Sequence, residues 1–435
     1  GISIIAEGHN KLKIVVTTTV AVDTKIFALK PYAAGGDRLV LDMTTLTSDN
    51  LADTENSIES GLVESSAHEG ESGAFPFALS GTWEHEWAME TDDGGGQKFE
   101  SLIEPRLEMD FTAGASLTAI ARIRLDTQGD LGPGEDRPDN YSSINGPFYN
   151  TSHAEFSLRE IYLDTRWGDT HWRLGKQQVV WGQADGIKVL DVVNPQSYRE
   201  FILDDFDDSR IPLTMVNVEV PLGSDMTLQA LWIPDPTYHE LAEPGTPYFI
   251  TSPRLVPQAP KGFEVDVRRP DKPENLLEDS DVGGRLSAFL GGWDITLNYL
   301  YHYQDFPVLF QRVELGEGGR LSGIVEPDYE RNHLVGGTLS NAFGGLTLRA
   351  ELAYNTDTFH ISDDITRAGI EDSAEFGSVL GVDWQLGGQD TLLSAQWFAS
   401  HLFDYRGSIR RDETEHVLSA YYMRTFSNET WTIDA

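Results

Sequence analysis

Trp293-Asp294-Ile295-Thr296-Leu297-Asn298-Tyr299-Leu300-Tyr301-His302-Tyr303 is the stretch that decides the fold. Trp293, Ile295, Leu297, Tyr299, Tyr301 and Tyr303 alternate with Asp294, Thr296, Asn298, Leu300 and His302. That is a period of two, with one apolar and aromatic face and one mostly polar face, as in an extended strand whose side chains point to opposite sides of a sheet. The pattern recurs at Phe77 to Met89 (Phe77, Leu79, Trp83, Trp87, Met89), Phe99 to Phe111 (Ile103, Leu107, Met109), Leu117 to Leu125, and Phe376 to Leu386 (Leu380, Val382, Trp384). Such segments run ~9–13 residues, the length a tilted strand needs to cross a bilayer.

The connections between these segments alternate in length. Short ones fall at Thr112 to Ala115, Gly168-Asp169, Pro221 to Asp225, Gly291-Gly292, Asn341 to Gly345, Gly387 to Asp390 and Ser427 to Glu429. Long ones lie between them, at Asp126 to His153, Trp181 to Ile211, Pro234 to Asp281, Asp305 to Arg331, Asn355 to Ser373 and Asp404 to Thr414. Tight turns at one rim and long loops at the other are how outer-membrane barrels are built. A soluble propeller would instead repeat a signature every ~40–50 residues, and the sequence has no such repeat.

The expected fold is therefore all-β: an antiparallel transmembrane β-barrel of about 14–16 or more strands over 76–435. Before it, short alternating segments from Lys11 to Met43, with a Gly35-Gly36 turn, form a small β-sandwich-like domain over 1–45. Residues 46–75 lose periodicity and are rich in Ser, Thr, Asp, Glu and Asn, the composition of a flexible acidic linker. The strand count comes out uneven and the last residues, Asp434-Ala435, lack a terminal aromatic, so the C-terminus is expected to be incomplete.

Charge and composition narrow the function. Asp and Glu number 70 against 32 Lys and Arg, a net charge of −38, which removes the basic footprint nucleic acid requires. No cysteine is present, so there is neither a disulfide framework nor a thiolate site. No apolar run approaches the ~20 residues of a membrane helix, and any crossing must be made by strands. Gly1-Ile2-Ser3-Ile4-Ile5 has no signal-peptide character.

Arg173-Leu174-Gly175-Lys176-Gln177-Gln178, then Trp181-Gly182-Gln183 and Asp191-Val192-Val193-Asn194-Pro195, resemble a proteobacterial outer-membrane family catalogued as a domain of unknown function (type 1302). In it, a strand ending in a G-x-Q-like step meets Trp-Gly and then Asp-x-x-Asn-Pro, and the resemblance runs from Phe77 to the end. It implies an outer-membrane barrel working beside an RND-type exporter of hydrophobic or lipid-like molecules. Val20-Ala21-Val22-Asp23-Thr24-Lys25-Ile26-Phe27-Ala28-Leu29 and Asp37-Arg38-Leu39-Val40-Leu41-Asp42 resemble the AMIN domain. That resemblance implies a periplasmic, peptidoglycan-targeting unit in which Arg38 and Asp42 are the candidate contacts.

Candidate functional residues follow. Arg122, Arg124, Arg173, Lys176, Arg349 and Glu351 lie on predicted wall strands. Charges there are expected to face a wet lumen, because Arg facing lipid at mid-depth costs ~2–4 kcal/mol. Trp181, Gly182, Gln183, Asp185, Asp191, Asn194 and Pro195 form a candidate constriction loop, Pro195 biasing Asn194 towards extended geometry. Asp204, Asp205, Asp207 and Asp208 offer hard oxygen ligands of the kind Ca²⁺ takes, without EF-hand spacing. No G-x-S-x-G, H-E-x-x-H, P-loop or G-x-G-x-x-G motif is present, and His85-Glu86 and His239-Glu240 lack the second His of a zinc helix, so no enzyme is expected.

The expected function is a channel or transport barrel in the cell outer membrane with its N-terminal domain in the periplasm. A plugged barrel that anchors the membrane to peptidoglycan is the first alternative. A hydrolase with Ser and His meeting on one wall is the second.

Overall fold

A computed structural model describes residues 77–89, 95–111, 114–129, 140–201, 206–243, 246–258, 264–315, 321–386 and 391–425, and the backbone alone at 2–6, 12–16, 22–29, 38–45, 426 and 431–434. The chain divides into two compact units, residues 1–134 with 147–161, and residues 135–146 with 162–435.

In the first unit, β1 (Ile2–Ala6) pairs with β2 (Leu12–Val16), and β3 (Val22–Leu29) with β4 (Arg38–Thr45). β5 (Phe77–Met89), β6 (Gly96–Phe111) and β7 (Ala115–Asp126) follow as an antiparallel meander, and a two-residue β8 (Tyr149–Asn150) leads into β9 (Ala154–Trp167), whose residues from Tyr162 on are counted in the second unit. β4 also pairs with β5, Leu39 opposite His85 and Leu41 opposite Trp83. The backbone thus carries 38–45 alongside the wall strands, where the sequence reading expects a unit set apart by a linker. Arg38 and Asp42 have side chains outside the described residues.

The second unit is a longer antiparallel sheet. Its wall strands are β10 (Thr170–Gln177), β12 (Leu213–Pro221), β13 (Met226–Ile233), β16 (Asp281–Leu290), β17 (Trp293–Tyr303), β20 (Arg331–Phe343), β21 (Leu346–Ile361), β22 (Ile370–Leu386), β23 (Thr391–Leu402), β24 (Thr414–Phe426) and β25 (Trp431–Asp434), each pairing with the next. The long loops carry the rest: β11 (Ser197–Tyr198) parallel to β14 (Glu240–Leu241), and β15 (Glu264–Val267), β18 (Val308–Leu315) and β19 (Leu321–Asp328) in a three-stranded sheet. Asp305 to Arg331 is therefore largely a hairpin rather than open loop. Asn355 to Ser373 is mostly strand as well, since β21 and β22 run on past a bulge between Asn355 and Thr358.

The faces of this sheet are inverted relative to a soluble protein. On β17, Leu297 is 63% exposed while Thr296 and Asn298 are 2% and 3% exposed. The register extends this across the sheet: Leu297 lies opposite Leu286, Leu339 opposite Ile295, and Leu352, Leu380 and Trp397 fall on the same outer row. An apolar face of this extent left in water would be an aggregation surface, and in lipid it costs nothing. The wall strands of the second unit pair edge to edge along continuous antiparallel ladders, the arrangement that lets a sheet cross hydrocarbon. Among the described residues, tight turns fall at the expected short connections, with Gly291 and Gly292 both at positive φ (60° and 90°), as a twisted two-residue hairpin requires.

Candidate functional site

The segment from Val179 to Pro212 leaves the end of β10 and folds onto the inner, polar face of the second unit's sheet. Asn194 closes its base: the side-chain oxygen accepts from the Val179 amide (2.8 Å), and Nδ2 donates to the carbonyls of Ile211 (3.0 Å) and Gln177 (3.3 Å). The Ile211 amide donates to the Pro195 carbonyl (2.8 Å), so the Asn-Pro step joins the two arms of the loop. At Gly182 the arms approach so closely that a Cβ would lie 2.8 Å from Cβ of Asp191.

Two kinds of contact hold the loop to the wall. The first is apolar. Val179, Trp181, Leu190 and Val193 pack with Leu213, Met215, Leu231, Ile233, Leu300, Leu334 and Ala353 in one buried cluster. Two wall glycines provide the sockets: a Cβ on Gly336 would meet Leu190 Cδ2 at 2.4 Å, and one on Gly283 would meet the Trp181 ring at 3.0 Å. Trp181 is 1% exposed, and its indole N–H donates to Gln229 Oε1 (2.9 Å).

The second contact is Glu351. From β21 its carboxylate accepts from three loop amides, those of Gln183 (2.7 Å), Ala184 (3.2 Å) and Leu190 (2.5 Å). Amide bonds to an ionised acceptor are about twice as strong as neutral ones, and here they satisfy donors that would otherwise be orphaned in a dry site. Two positions along β21 on the same face, Arg349 donates to the Gln183 carbonyl (2.5 Å) and to the carboxylates of Asp185 (2.8 Å) and Asp383 (3.0 Å). Gln396 adds a bond to Asp185 Oδ2 (3.0 Å) and accepts from its amide (3.1 Å).

Inside the loop, Asp191 takes Arg210 at 2.9 and 2.7 Å and Lys188 at 2.9 Å. Burial pulls the Lys188 ammonium below its ordinary pKa, and the Asp191 carboxylate acts against that shift. The neighbouring outer loop is clamped by His239, whose Nδ1 accepts from the Gln196 amide (2.8 Å). Burial pushes that imidazole down to about 3, which keeps it neutral and able to accept.

Of the candidate constriction residues, the structure gathers Trp181, Gly182, Gln183, Asp185, Asp191, Asn194 and Pro195 in this one loop, and it places Arg349 and Glu351 on the wall beneath them. Arg173 faces inward in the second unit, paired with Asp164 (2.8 Å) and lying over the Tyr162 ring (4.3 Å). Lys176 is a correction. Its register partner is Thr214, in the row of Leu174 and Trp172 opposite to that of Arg173, and it is covered by the segment whose Asn145 carbonyl it bonds (3.1 Å). Residues three apart on a strand cannot share a face.

Arg122 and Arg124 line the inner face of the first unit within an ion-pair network: Arg122 with Glu104 (2.6 Å), and Arg124 with Glu155 (3.0 Å) and Glu100 (3.3 Å). Arg159 also reaches Glu104 (3.4 Å), and Lys98 pairs with Glu86 and Glu100. The acidic run gives a mixed result: Asp204 and Asp205 lie outside the described residues, while Asp207, on the short helix α1 (Phe206–Ser209), pairs with Arg210, and Asp208 is half-buried. One Ser–His contact on the wall, Ser101 Oγ to His85 Nδ1 (2.9 Å), sits on the outer row beside Phe99.

Long antiparallel strands, an exposed apolar face and a buried polar one carrying an inturned loop define the class: a β-barrel protein of the outer-membrane type. The chain belongs to the family described as Protein of unknown function (DUF1302), which matches residues 114–431. No curated protein matches it. Among solved structures it is similar to a porin (11% identity over 80% of this chain and 89% of that one, TM-score 0.37). It is also similar to OmpT, an outer membrane protein of Vibrio cholerae (8%, 82% and 87%, TM-score 0.39), and to an anion-selective porin from Comamonas acidovorans (12%, 77% and 79%, TM-score 0.37).

Proposed function

We propose that the protein is an outer-membrane channel whose passage is narrowed by the loop from Val179 to Pro212. The observation that carries this reading is the anchoring of three amides from two parts of that loop to one wall carboxylate, Glu351, with Trp181 and Leu190 keyed into glycine sockets. A loop built in this way is a fixed constriction of the inner space. It sets what can pass without having to move.

Reconstituted in planar bilayers, the full chain should give discrete conductance steps. Silence from the wild-type protein and from a Glu351→Ala variant alike would overturn the channel and favour a plugged, structural barrel. An RND-type exporter partner and a hydrophobic cargo follow from the family resemblance alone, as does peptidoglycan as the ligand of Arg38 and Asp42.

A further inference from the structure

We propose that the passage prefers cations, and that Asp185 and Asp383 are the residues that set this preference. The inference rests on the channel reading above and names the class of solute that channel takes.

The loop's own charge is the first ground. Residues 181–210 hold seven carboxylates (Asp185, Asp191, Glu200, Asp204, Asp205, Asp207, Asp208) against three cations (Lys188, Arg199, Arg210). All three cations are turned inward and paired within the loop: Lys188 with Asp191, Arg199 with Glu200, and Arg210 with Asp191 and Asp207. Their side chains are 11%, 6% and 5% exposed, whereas those of Asp185 and Asp207 are 69% and 89% exposed. Among the described residues of the loop, the strongly exposed charges are therefore the carboxylates Asp185 and Asp207.

The wall repeats the imbalance next to the loop. Arg349 is held between two carboxylates, Asp185 and Asp383, so this three-residue group keeps one net negative charge. Arg285 on the same wall donates to the Val180 carbonyl (3.3 Å) at the start of the loop. Asp185 is also fixed in place, by Arg349 Nη2, by Gln396 Nε2 and through its own amide, so its charge occupies a set position and does not sweep through solvent. A positioned excess of one sign in a narrow, low-dielectric passage raises the local concentration of the opposite ion.

The test is the reversal potential of the full chain in planar bilayers under a potassium chloride gradient. Wild-type protein should favour potassium. Asp185→Asn with Asp383→Asn, isosteric changes that leave one oxygen at each position to accept from Arg349, should lower the potassium-to-chloride permeability ratio roughly two- to threefold, and Arg349→Gln should raise it. A conducting protein that favours chloride, or one whose ratio is unchanged in the double variant, would overturn the preference while leaving the channel intact. A protein that never conducts, though its band still shifts on boiling as a folded barrel's does, would overturn the channel reading itself.

Discussion

Glu351→Ala should raise single-channel conductance several-fold. The substitution removes the acceptor of three amide donors, on Gln183, Ala184 and Leu190, that lie in a buried setting. Hydrogen bonds to charged groups contribute ~1.5–3 kcal/mol each and do not add fully, so the seated loop should lose about 3–5 kcal/mol relative to a released one. A change of that size turns a rare released state into a substantial one. Glu351→Gln keeps an oxygen that can accept part of the set and should fall between wild type and Ala. Unchanged conductance in the Ala variant would mean that the apolar contacts and the bonds from Arg349 and Gln396 seat the loop without Glu351.

Gly336→Val should strongly destabilise the barrel. A Cβ there lies 2.4 Å from Leu190 Cδ2 and 2.4 Å from the Leu352 carbonyl, so both the loop and the neighbouring strand must give way. Overpacking in a close-packed site costs ~1–3 kcal/mol, and here two neighbours are involved, one of them backbone. The readout is the temperature at which the compact band on SDS gels converts to the unfolded one. Gly284→Ala, whose Cβ would meet only the Gln229 carbonyl at 3.5 Å, is the control and should leave that temperature unchanged. Adding Leu190→Ala to Gly336→Val should recover part of the loss but not all of it, because the Leu352 carbonyl stays where it is. Full recovery would place the whole clash on the loop.

The fold was legible because period-two alternation is a local signal: Trp293 to Tyr303 show both faces within eleven residues. Arg122 with Arg124 and Arg349 with Glu351 stand two apart, and the same alternation puts each pair on one face. Lys176 was misplaced against that very rule, because it stands three positions from Arg173 and belongs to the other row.

The site was legible on one side only. Trp181-Gly182 and Asn194-Pro195 mark the loop, but what the loop lies on is more than 160 residues away in sequence for Glu351, and more than 200 for Gln396. Gln229, Asp383 and Gln396 are ordinary polar positions on wall strands, with nothing local to single them out. Gly283 and Gly336 would read as weak points in a strand, and only the packed structure shows them to be sockets. In the first unit nothing local ties Glu100, Glu104, Glu155 and Arg159 to Arg122 and Arg124, since pairing across strands leaves no trace in a single sequence.

The measurement that tests the seated loop most directly uses the absence of native cysteine. A Cβ at position 377 would lie 3.3 Å from Val189 Cγ1, so Val189→Cys with Gly377→Cys puts two thiols within bonding reach across the loop-to-wall contact. In the folded, membrane-inserted protein, mild oxidation should join them nearly completely, giving a band of altered mobility that a reductant reverses. The same pair on a Glu351→Ala background should join more slowly. If the double-cysteine protein inserts and folds but stays reduced under that oxidant, the loop does not lie on this wall, and the constriction built from it is wrong.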